Sequence, residues 1–187
     1  MFARVSVVRD IMLSLFFLLF IILIFGTMIW AGFSAAPWLP IWKKDINQVL
    51  ELAQIKSGEV VYDLGSGDGR LILAVAKMTP AKRVVGFEIS LLFYLWSRIK
   101  ILFSNYPQIQ IKYQNFFKAD FSQADVILCF LTPYAMRKLK VKLFREMKPG
   151  ARLVSYAFTL PKVNAEKSFK VSQKSIPIYL YKFWVFW

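Results

Sequence analysis

The chain contains no histidine and only one cysteine, Cys129, among its 187 residues. A single cysteine cannot form a disulfide within the chain, and without histidine a zinc cluster lacks most of its usual ligands. The same absence excludes a histidine as general base. We therefore expect neither a metal site nor histidine-based catalysis.

Acidic residues are also few. The sequence has 11 aspartates and glutamates against 25 lysines and arginines, which gives a formal net charge of +14. Of these residues, only Arg4, Arg9 and Asp10 precede Lys43, so the excess of positive charge belongs to the part of the chain that follows. A partner or neighbouring surface of negative charge is expected for such a protein.

One long stretch, 11–33, has no charged residue, and the mean hydropathy of the whole chain is +0.47. A membrane span needs about 20 apolar residues, whereas the apolar part of a signal peptide has about 7 to 15. The sequence therefore predicts a short tail over 1–10, a transmembrane anchor over 11–33, a linker over 34–45 and one domain over 46–187. The basic domain and the lack of paired cysteines favour a single-pass membrane protein with this domain in the cytoplasm.

Within 46–187, β-favouring and helix-forming segments alternate. This alternation predicts an α/β fold with a Rossmann-like, doubly wound and mostly parallel sheet. The last two strands are expected to form an antiparallel pair that closes the sheet. The seven predicted strands are 60–62, 83–88, 108–113, 126–130, 152–156, 167–173 and 178–186.

The stretch 59–76 is typical of a strand, a glycine-rich turn and a helix. Its turn has the spacing G-x-G-x-G over 65–69, and Arg70 stands where the dinucleotide fingerprint would have its third glycine. Asp63 and Asp68 would also repel a pyrophosphate. A cationic ligand with hydroxyl groups suits this turn better, and S-adenosylmethionine has a sulfonium, an ammonium and a ribose diol. Glu88, at the end of the next strand, is predicted to accept hydrogen bonds from both ribose hydroxyls.

Through the segments 63–69 and 86–88 the chain resembles the class I S-adenosylmethionine-dependent methyltransferases. It is more closely similar to the membrane-anchored protein lysine methyltransferases that modify the c subunit of ATP synthase and the adenine nucleotide translocase. That similarity rests on the apolar run and on a set of short segments. They are 36–40, 63–70, 120–122, 130–133 and 149–152.

This resemblance implies the class I methyltransferase fold, S-adenosylmethionine as cofactor, and a lysine of a small membrane protein as methyl acceptor. It also draws attention to Asn115, because an aspartate usually occupies this position in the family and contacts the adenine amine. An asparagine keeps one acceptor oxygen but loses the charge. The predicted cofactor-binding residues are Asp63, Gly65, Ser66, Gly67, Asp68, Gly69, Glu88 and Asn115.

The chemistry is expected at the carboxyl end of the apolar strand 126–130, because ligands of open α/β sheets bind at that edge. Enzymes that methylate amide or base nitrogens often carry Asn or Asp before Pro-Pro-Tyr there, and Thr132-Pro133-Tyr134 retains only the proline and the aromatic residue. A lysine acceptor requires alignment with the sulfonium, exclusion of water and loss of a proton, and aromatic faces with a nearby carboxylate meet these needs. The predicted catalytic residues are Asp120, Thr132, Tyr134 and Tyr156, with Asp120 first.

A helix predicted over 134–147 carries many lysines and arginines outside its apolar face. These residues form either a solvated surface or a contact with anionic lipid headgroups. Two other functions stay open at this stage. The basic domain could serve an RNA methyltransferase, although nucleic acid is the less favoured partner, or the fold could act as an inactive, membrane-tethered binding module.

Overall fold

The structure, a computed structural model, describes residues 2–34, 39–170, 172 and 175–184. In the first helix it describes the side chains of residues 9–23, 25 and 26 only. The helices are α1 (Phe2–Ser34), α2 (Lys43–Ala53), α3 (Arg70–Met78), α4 (Leu91–Leu102) and α5 (Pro133–Glu146). The strands are β1 (Val60–Leu64), β2 (Arg83–Glu88), β3 (Ile109–Tyr113), β4 (Val126–Cys129), β5 (Arg152–Tyr156), β6 (Lys167–Phe169) and β7 (Ile178–Lys182).

The strands form one seven-stranded sheet in the order β3-β2-β1-β4-β5-β7-β6. The first five strands are parallel, and β7 is antiparallel to both β5 and β6. This arrangement confirms the predicted mostly parallel sheet and its antiparallel closing pair. All four residues of β4 are buried, as expected for a strand that is covered on both faces.

The two faces of the sheet bury different residues of the same strands, because successive side chains point to opposite faces. Val61 and Leu128 pack with α2 and α3 on one face. Tyr62 and Ile127 pack with α5 on the other face. The carboxyl ends of the five parallel strands therefore lie together between two layers of helices.

Helix α2 crosses the sheet in the direction opposite to β5. At the start of β5, Nε of Arg152 donates a hydrogen bond to the carbonyl oxygen of Ala53 at 3.0 Å. At the end of β5, the hydroxyl of Tyr156 donates to Oδ2 of Asp45 at 2.6 Å. The first turn of α2 consequently lies at the carboxyl edge of the sheet. It includes the last residues of the predicted linker 34–45, of which residues 35–38 lie outside the described residues.

The prediction of a membrane span is not supported. Over the residues that the structure describes, no helix has both the length and the apolar character that crossing a membrane requires. On this finding the transmembrane anchor predicted over 11–33 and the single-pass membrane localisation are wrong.

Candidate active site

The glycine-rich turn after β1 approaches the end of β2 closely. The backbone N–H groups of Gly65 and Ser66 both donate to the carbonyl oxygen of Phe87, each at 2.9 Å. Gly65 has a φ of +78°, a left-handed conformation that side chains with a Cβ rarely adopt. At Gly69 an added Cβ would stand 2.8 Å from Cβ of Ser97, so α4 also approaches the turn directly. The glycines thus allow a tight turn that leaves bare backbone at the edge of the sheet.

Glu88 ends β2 and is bound by three backbone N–H groups. Its oxygens accept from Gly67 at 2.8 Å, from Ile89 at 2.9 Å and from Ser90 at 2.7 Å. Burial raises the pKa of Glu88, although these hydrogen bonds act in the opposite direction. A carboxylate has about four acceptor sites, so roughly one remains for a ligand hydroxyl. The contact of Glu88 with the ribose stays a prediction, and the carboxylate has less free acceptor capacity than the sequence suggested.

Asp63 lies at the same edge, at the end of β1. Its side chain is buried and accepts no hydrogen bond from the residues that the structure describes. Burial, with the charges of Glu88 and Asp68 beside it, raises the pKa of Asp63 to about 8. A buried carboxylate without a partner is costly, and a cationic ligand would remove that cost.

The carboxylate of Asp68, another predicted cofactor-binding residue, is paired with two cations of the chain. Oδ1 lies 2.9 Å from Nε of Arg70, and Oδ2 lies 3.0 Å from Nζ of Lys100. Burial alone would raise the pKa of Asp68, but the hydrogen bonds from these two cations lower it. Arg70 also donates to the carbonyl oxygen of Ile41 at 3.1 Å. Asp68 therefore connects the turn to α4 and, through Arg70, to the segment before α2.

Asn115 follows β3 at this edge. Its Oδ1 accepts a hydrogen bond from the backbone N–H of Phe117 at 2.9 Å and so begins a short 3-10 turn, Phe116–Lys118. The preceding residue, Gln114, donates its backbone N–H to the carbonyl oxygen of Glu88. Asn115 is thus close to Glu88, where an adenine ring next to the ribose would lie.

The residues at this edge fit S-adenosylmethionine. Asp63 offers an unmatched negative charge for a cationic ligand, and Glu88 keeps about one acceptor site. The hydroxyls of Ser66 and Ser90 are buried and have no hydrogen-bond partner among the described residues. Buried polar groups are nearly always hydrogen-bonded in native proteins, so these atoms are consistent with a polar ligand at this place.

The ends of β4 and β5 form the other half of the edge. Thr132 precedes α5, and its hydroxyl accepts from the backbone N–H of Ala135 at 3.3 Å, as an N-cap does. Tyr134, in the first turn of α5, is half exposed, and Nζ of Lys138 lies 4.9 Å from the centre of its ring. Tyr156 is buried at the end of β5. The structure therefore brings Thr132, Tyr134 and Tyr156 to the carboxyl edge, where the sequence predicted them.

Asp120 is not brought to this edge. Its exposed carboxylate accepts from the backbone N–H and the hydroxyl of Ser122, at 2.9 and 2.8 Å. The next residue, Phe121, donates its backbone N–H to Glu146, the last residue of α5. Because α5 begins at the carboxyl edge, its end and Asp120 lie towards the opposite edge of the sheet.

This position leads to a prediction for Asp120→Asn. The sequence alone predicts slower methyl transfer, but the distance from the carboxyl edge predicts a kcat within about twofold of wild type. The carboxylate charge that this variant loses is not paired with any described residue at the carboxyl edge. Substitutions of exposed surface residues usually have small effects on the protein. Measurement of kcat on the purified variant decides between the two. A tenfold fall in kcat with unchanged cofactor affinity would restore Asp120 to the site.

Asp45 and Phe130 belong to the carboxyl edge but were not predicted. Asp45 is buried and accepts the hydrogen bond of Tyr156, a residue 111 positions further along the chain. Phe130 follows β4, and its ring meets that of Tyr156 edge to face with 4.9 Å between centroids. An acidic residue in the first turn of the amphipathic helix α2 was visible in the sequence. Nothing local indicated that this turn would lie beside the end of β5.

Known proteins support this assignment of the fold and of the cofactor. Residues 63–167 match the family model described as the ANTKMT methyltransferase domain. The chain is 35% identical over 153 residues to a protein-lysine N-methyltransferase of Saccharolobus islandicus, a match that covers 78% of this chain and 92% of that protein. It is 30% identical over 126 residues to the human lysine N-methyltransferase of the ATP synthase c subunit, and it spans about half, 53%, of that longer enzyme.

A solved structure is similar over nearly its full length. The RNA methyltransferase from Salinibacter ruber, in complex with S-adenosyl-L-homocysteine, superposes with a TM-score of 0.73 at 29% sequence identity. The match covers 78% of this chain and 94% of that one. S-adenosyl-L-homocysteine is what remains of S-adenosylmethionine after methyl transfer, in agreement with the fit of the glycine-rich turn. The chain therefore belongs to the ANTKMT methyltransferase domain family, and it is a class I methyltransferase with S-adenosylmethionine as its cofactor.

Proposed function

We propose that this enzyme is a protein-lysine N-methyltransferase. The observation that carries the proposal is the set of side chains at the carboxyl ends of β4 and β5, which we call the acceptor half of the edge. Rings of Phe130 and Tyr156 lie there with the Asp45 carboxylate. The segment 131–134 has no Asn or Asp, which amide and base methyltransferases often carry before Pro-Pro-Tyr. The 35% identity to a protein-lysine N-methyltransferase over 92% of that protein supports the same activity.

The reaction needs three things from the chain. The lysine ammonium, with a pKa of about 10.4, must lose a proton to a carboxylate or to water before its nitrogen can attack. The amine must lie in line with the methyl group, and water must be kept away. S-adenosylmethionine supplies the methyl carbon, whose bond to sulfur breaks as the bond to the amine nitrogen forms. Aromatic rings at the ends of β4 and β5 provide a dry surface for the acceptor side chain, and the residues around Asp63 and Glu88 hold the cofactor beside it.

The nature of the acceptor protein is a further part of the proposal. One relative is a lysine N-methyltransferase of the ATP synthase c subunit, and another is an adenine nucleotide translocase lysine N-methyltransferase. A small membrane protein as acceptor therefore remains a prediction. So does a contact of the basic surface of α5 with anionic lipid, although Lys142 on this helix already pairs with Glu146 at 2.6 Å.

The test is transfer of radiolabel from S-adenosylmethionine. Purified full-length enzyme is incubated with separate membrane and soluble fractions from a strain that lacks it, and a variant unable to bind the cofactor gives the background. We expect label in a protease-sensitive, nuclease-resistant band, with methyllysine found by mass spectrometry. Label on another residue type would refute the lysine assignment. A soluble acceptor would refute only the membrane-protein prediction.

A second candidate is methylation of RNA. It is favoured by the Salinibacter ruber RNA methyltransferase, whose structure matches over 94% of its chain, and by the net charge of +14. Binding to phosphates through lysines and arginines would weaken steeply with salt. In the same assay, label that disappears with nuclease and survives protease would establish this activity instead. Cofactor binding without label in either fraction would favour an inactive binding module.

A further inference from the structure

Asp45 is a buried carboxylate without a cation. Its residue is 6% exposed, and it takes part in none of the ion pairs found among the described residues. Among the described residues, the side-chain hydrogen bond to Asp45 comes from the hydroxyl of Tyr156, which lies 2.6 Å from Oδ2. One hydrogen bond leaves most acceptor sites of a carboxylate open, and a buried charge is normally paired. This position calls for a cationic partner.

The hydrogen-bond donor to Asp45, Tyr156, is one of three aromatic residues whose rings lie near one another at the ends of β4 and β5. Phe130 meets the Tyr156 ring edge to face and lies nearly parallel to Phe158, with centroids 6.4 Å apart. Phe130 and Phe158 are half-buried, so each ring keeps part of its surface open. Phe158 is held by its carbonyl oxygen, which accepts from the hydroxyl of Ser155 at 2.6 Å. A carboxylate beside aromatic faces is a suitable environment for an alkylammonium group.

The backbone at this place is also unusual. Ala157, between Tyr156 and Phe158, has a φ of +73°, which residues other than glycine rarely adopt. Such strain is typical of functional sites, where the surrounding structure fixes a required conformation. Here it turns the chain so that both aromatic residues lie at the end of β5.

Asp45 lies on the acceptor side of the edge and not on the cofactor side. It is next to the end of β5, whereas the cofactor-binding turn follows β1 and the ribose position is at the end of β2. Strand β4 separates β5 from β1, so the end of β5 is two strands away from the cofactor-binding turn. A cationic side chain of the other substrate is the partner that this position favours.

We infer that Asp45 and the rings of Phe130, Tyr156 and Phe158 form the subsite for the ammonium of the acceptor. This inference rests on the proposed lysine methyltransferase activity and names the residues that select a primary amine. Asp45 holds the ammonium of the arriving side chain, and the rings cover its methylene groups. The acceptor is thereby selected for its positive charge before the methyl group is transferred.

The obvious alternative is that Asp45 only fastens α2 to β5 through Tyr156. Two variants separate these roles. Asp45→Asn keeps a side-chain acceptor for the Tyr156 hydroxyl but removes the charge, whereas Tyr156→Phe removes the hydrogen bond but keeps the carboxylate. Glu51→Gln, an exposed change of the same chemistry on the same helix, is the matched control.

The probe is n-butylammonium, which has the length and charge of a lysine side chain, with n-butanol as its neutral counterpart. Binding to the full-length enzyme with S-adenosyl-L-homocysteine is measured by titration. We expect wild type and Glu51→Gln to prefer n-butylammonium. Asp45→Asn should bind it at least tenfold more weakly, a larger loss than in Tyr156→Phe, with unchanged affinity for S-adenosyl-L-homocysteine. The KM for poly-L-lysine should rise in the same variant more than kcat falls.

Three outcomes would overturn the inference. They are equal binding of n-butylammonium and n-butanol by wild type, unchanged binding in Asp45→Asn, and an equal loss in Tyr156→Phe. The first needs no variant, so the inference stays testable even if Asp45→Asn does not fold. If protein lysine is methylated normally by Asp45→Asn, the proposed function stands and only this subsite is refuted. If n-butylammonium binds through Asp45 but no protein is labelled, the enzyme acts on another amine.

Discussion

A Gly65→Arg variant loses the binding of S-adenosylmethionine, with an affinity reduced at least about a hundredfold. Gly65 has a φ of +78°, a backbone conformation that costs a residue with a side chain about 1–2 kcal/mol. A side chain at this position would project from the turn at the edge where the cofactor binds. The nearest atom to an added Cβ is Cδ2 of Leu131 at 3.6 Å, an ordinary contact. The protein can therefore fold with the arginine in place, and its side chain then occupies the cofactor's position with a positive charge.

Gly150→Arg is the matched control for this experiment. Gly150 has nearly the same φ, +79°, but an added Cβ would meet no atom within 4 Å, and the residue precedes β5 at the opposite edge of the sheet. Both variants thus carry the same backbone strain and the same added charge. Calorimetric titration with S-adenosylmethionine should show binding by Gly150→Arg and none by Gly65→Arg. Normal binding by Gly65→Arg would mean that the glycine-rich turn is not the cofactor site.

The affinity for S-adenosylmethionine is expected to rise with pH between about 6 and 8. Without ligand, burial and the neighbouring Glu88 and Asp68 raise the pKa of Asp63 to about 8, so this carboxyl is mostly protonated at pH 6. A cationic cofactor favours the ionised form, and its binding releases the proton. The dissociation constant should fall by up to about tenfold per pH unit in this range. Above about pH 8 the ammonium of the cofactor itself begins to lose its proton, and the gain ends.

Asp63→Asn tests the origin of this pH dependence. The variant has no charge at position 63, so its dissociation constant should change little between pH 6 and 8 and should exceed that of wild type at pH 8. Titrations at several pH values measure both quantities. Parallel pH profiles for the two proteins would show that another group is responsible.

The same carboxyl affects the stability of the protein without ligand. Its pKa is higher in the folded chain, at about 8, than its ordinary value of 3.8, so the folded state holds an extra proton between these values. The contribution of Asp63 to the free energy of unfolding therefore decreases as pH rises through that window. Added S-adenosylmethionine should offset this decrease, because it stabilises the ionised form in the folded state.

The sequence predicted those parts of the fold and site that depend on neighbouring residues. The apolar run of β4 and the glycine spacing after β1 are local signals, and each determined an element or a turn. The position of Glu88 at this edge was predicted in the same way, because the end of the strand after the glycine-rich turn is a fixed place in this topology. The class of cofactor followed from charges that lie within a few residues of each other.

Other features depended on contacts between distant parts of the chain. Asp120 has a carboxylate near the predicted site in sequence, but the path from β3 to β4 carries it to the opposite edge. Asp45 lies in what the sequence predicted to be a linker, and its partner Tyr156 is 111 residues away. For 11–33, the apolar composition alone predicted a membrane span, which the described helices do not provide. Local patterns contain no information about which ends of helices and strands will meet.

Helix α2 is attached to β5 at both of its ends. Arg152 binds the carbonyl oxygens of Ala53 and Gln54 at one end, and Tyr156 binds Asp45 at the other. Arg152 also forms an ion pair with Glu59 at 2.6 Å, next to β1. A helix fixed in this way cannot swing open as a lid, so it is a rigid wall beside the carboxyl end of β5. An acceptor must then enter along the edge of the sheet with an extended side chain, and the enzyme should select acceptors whose target residue projects from its surroundings.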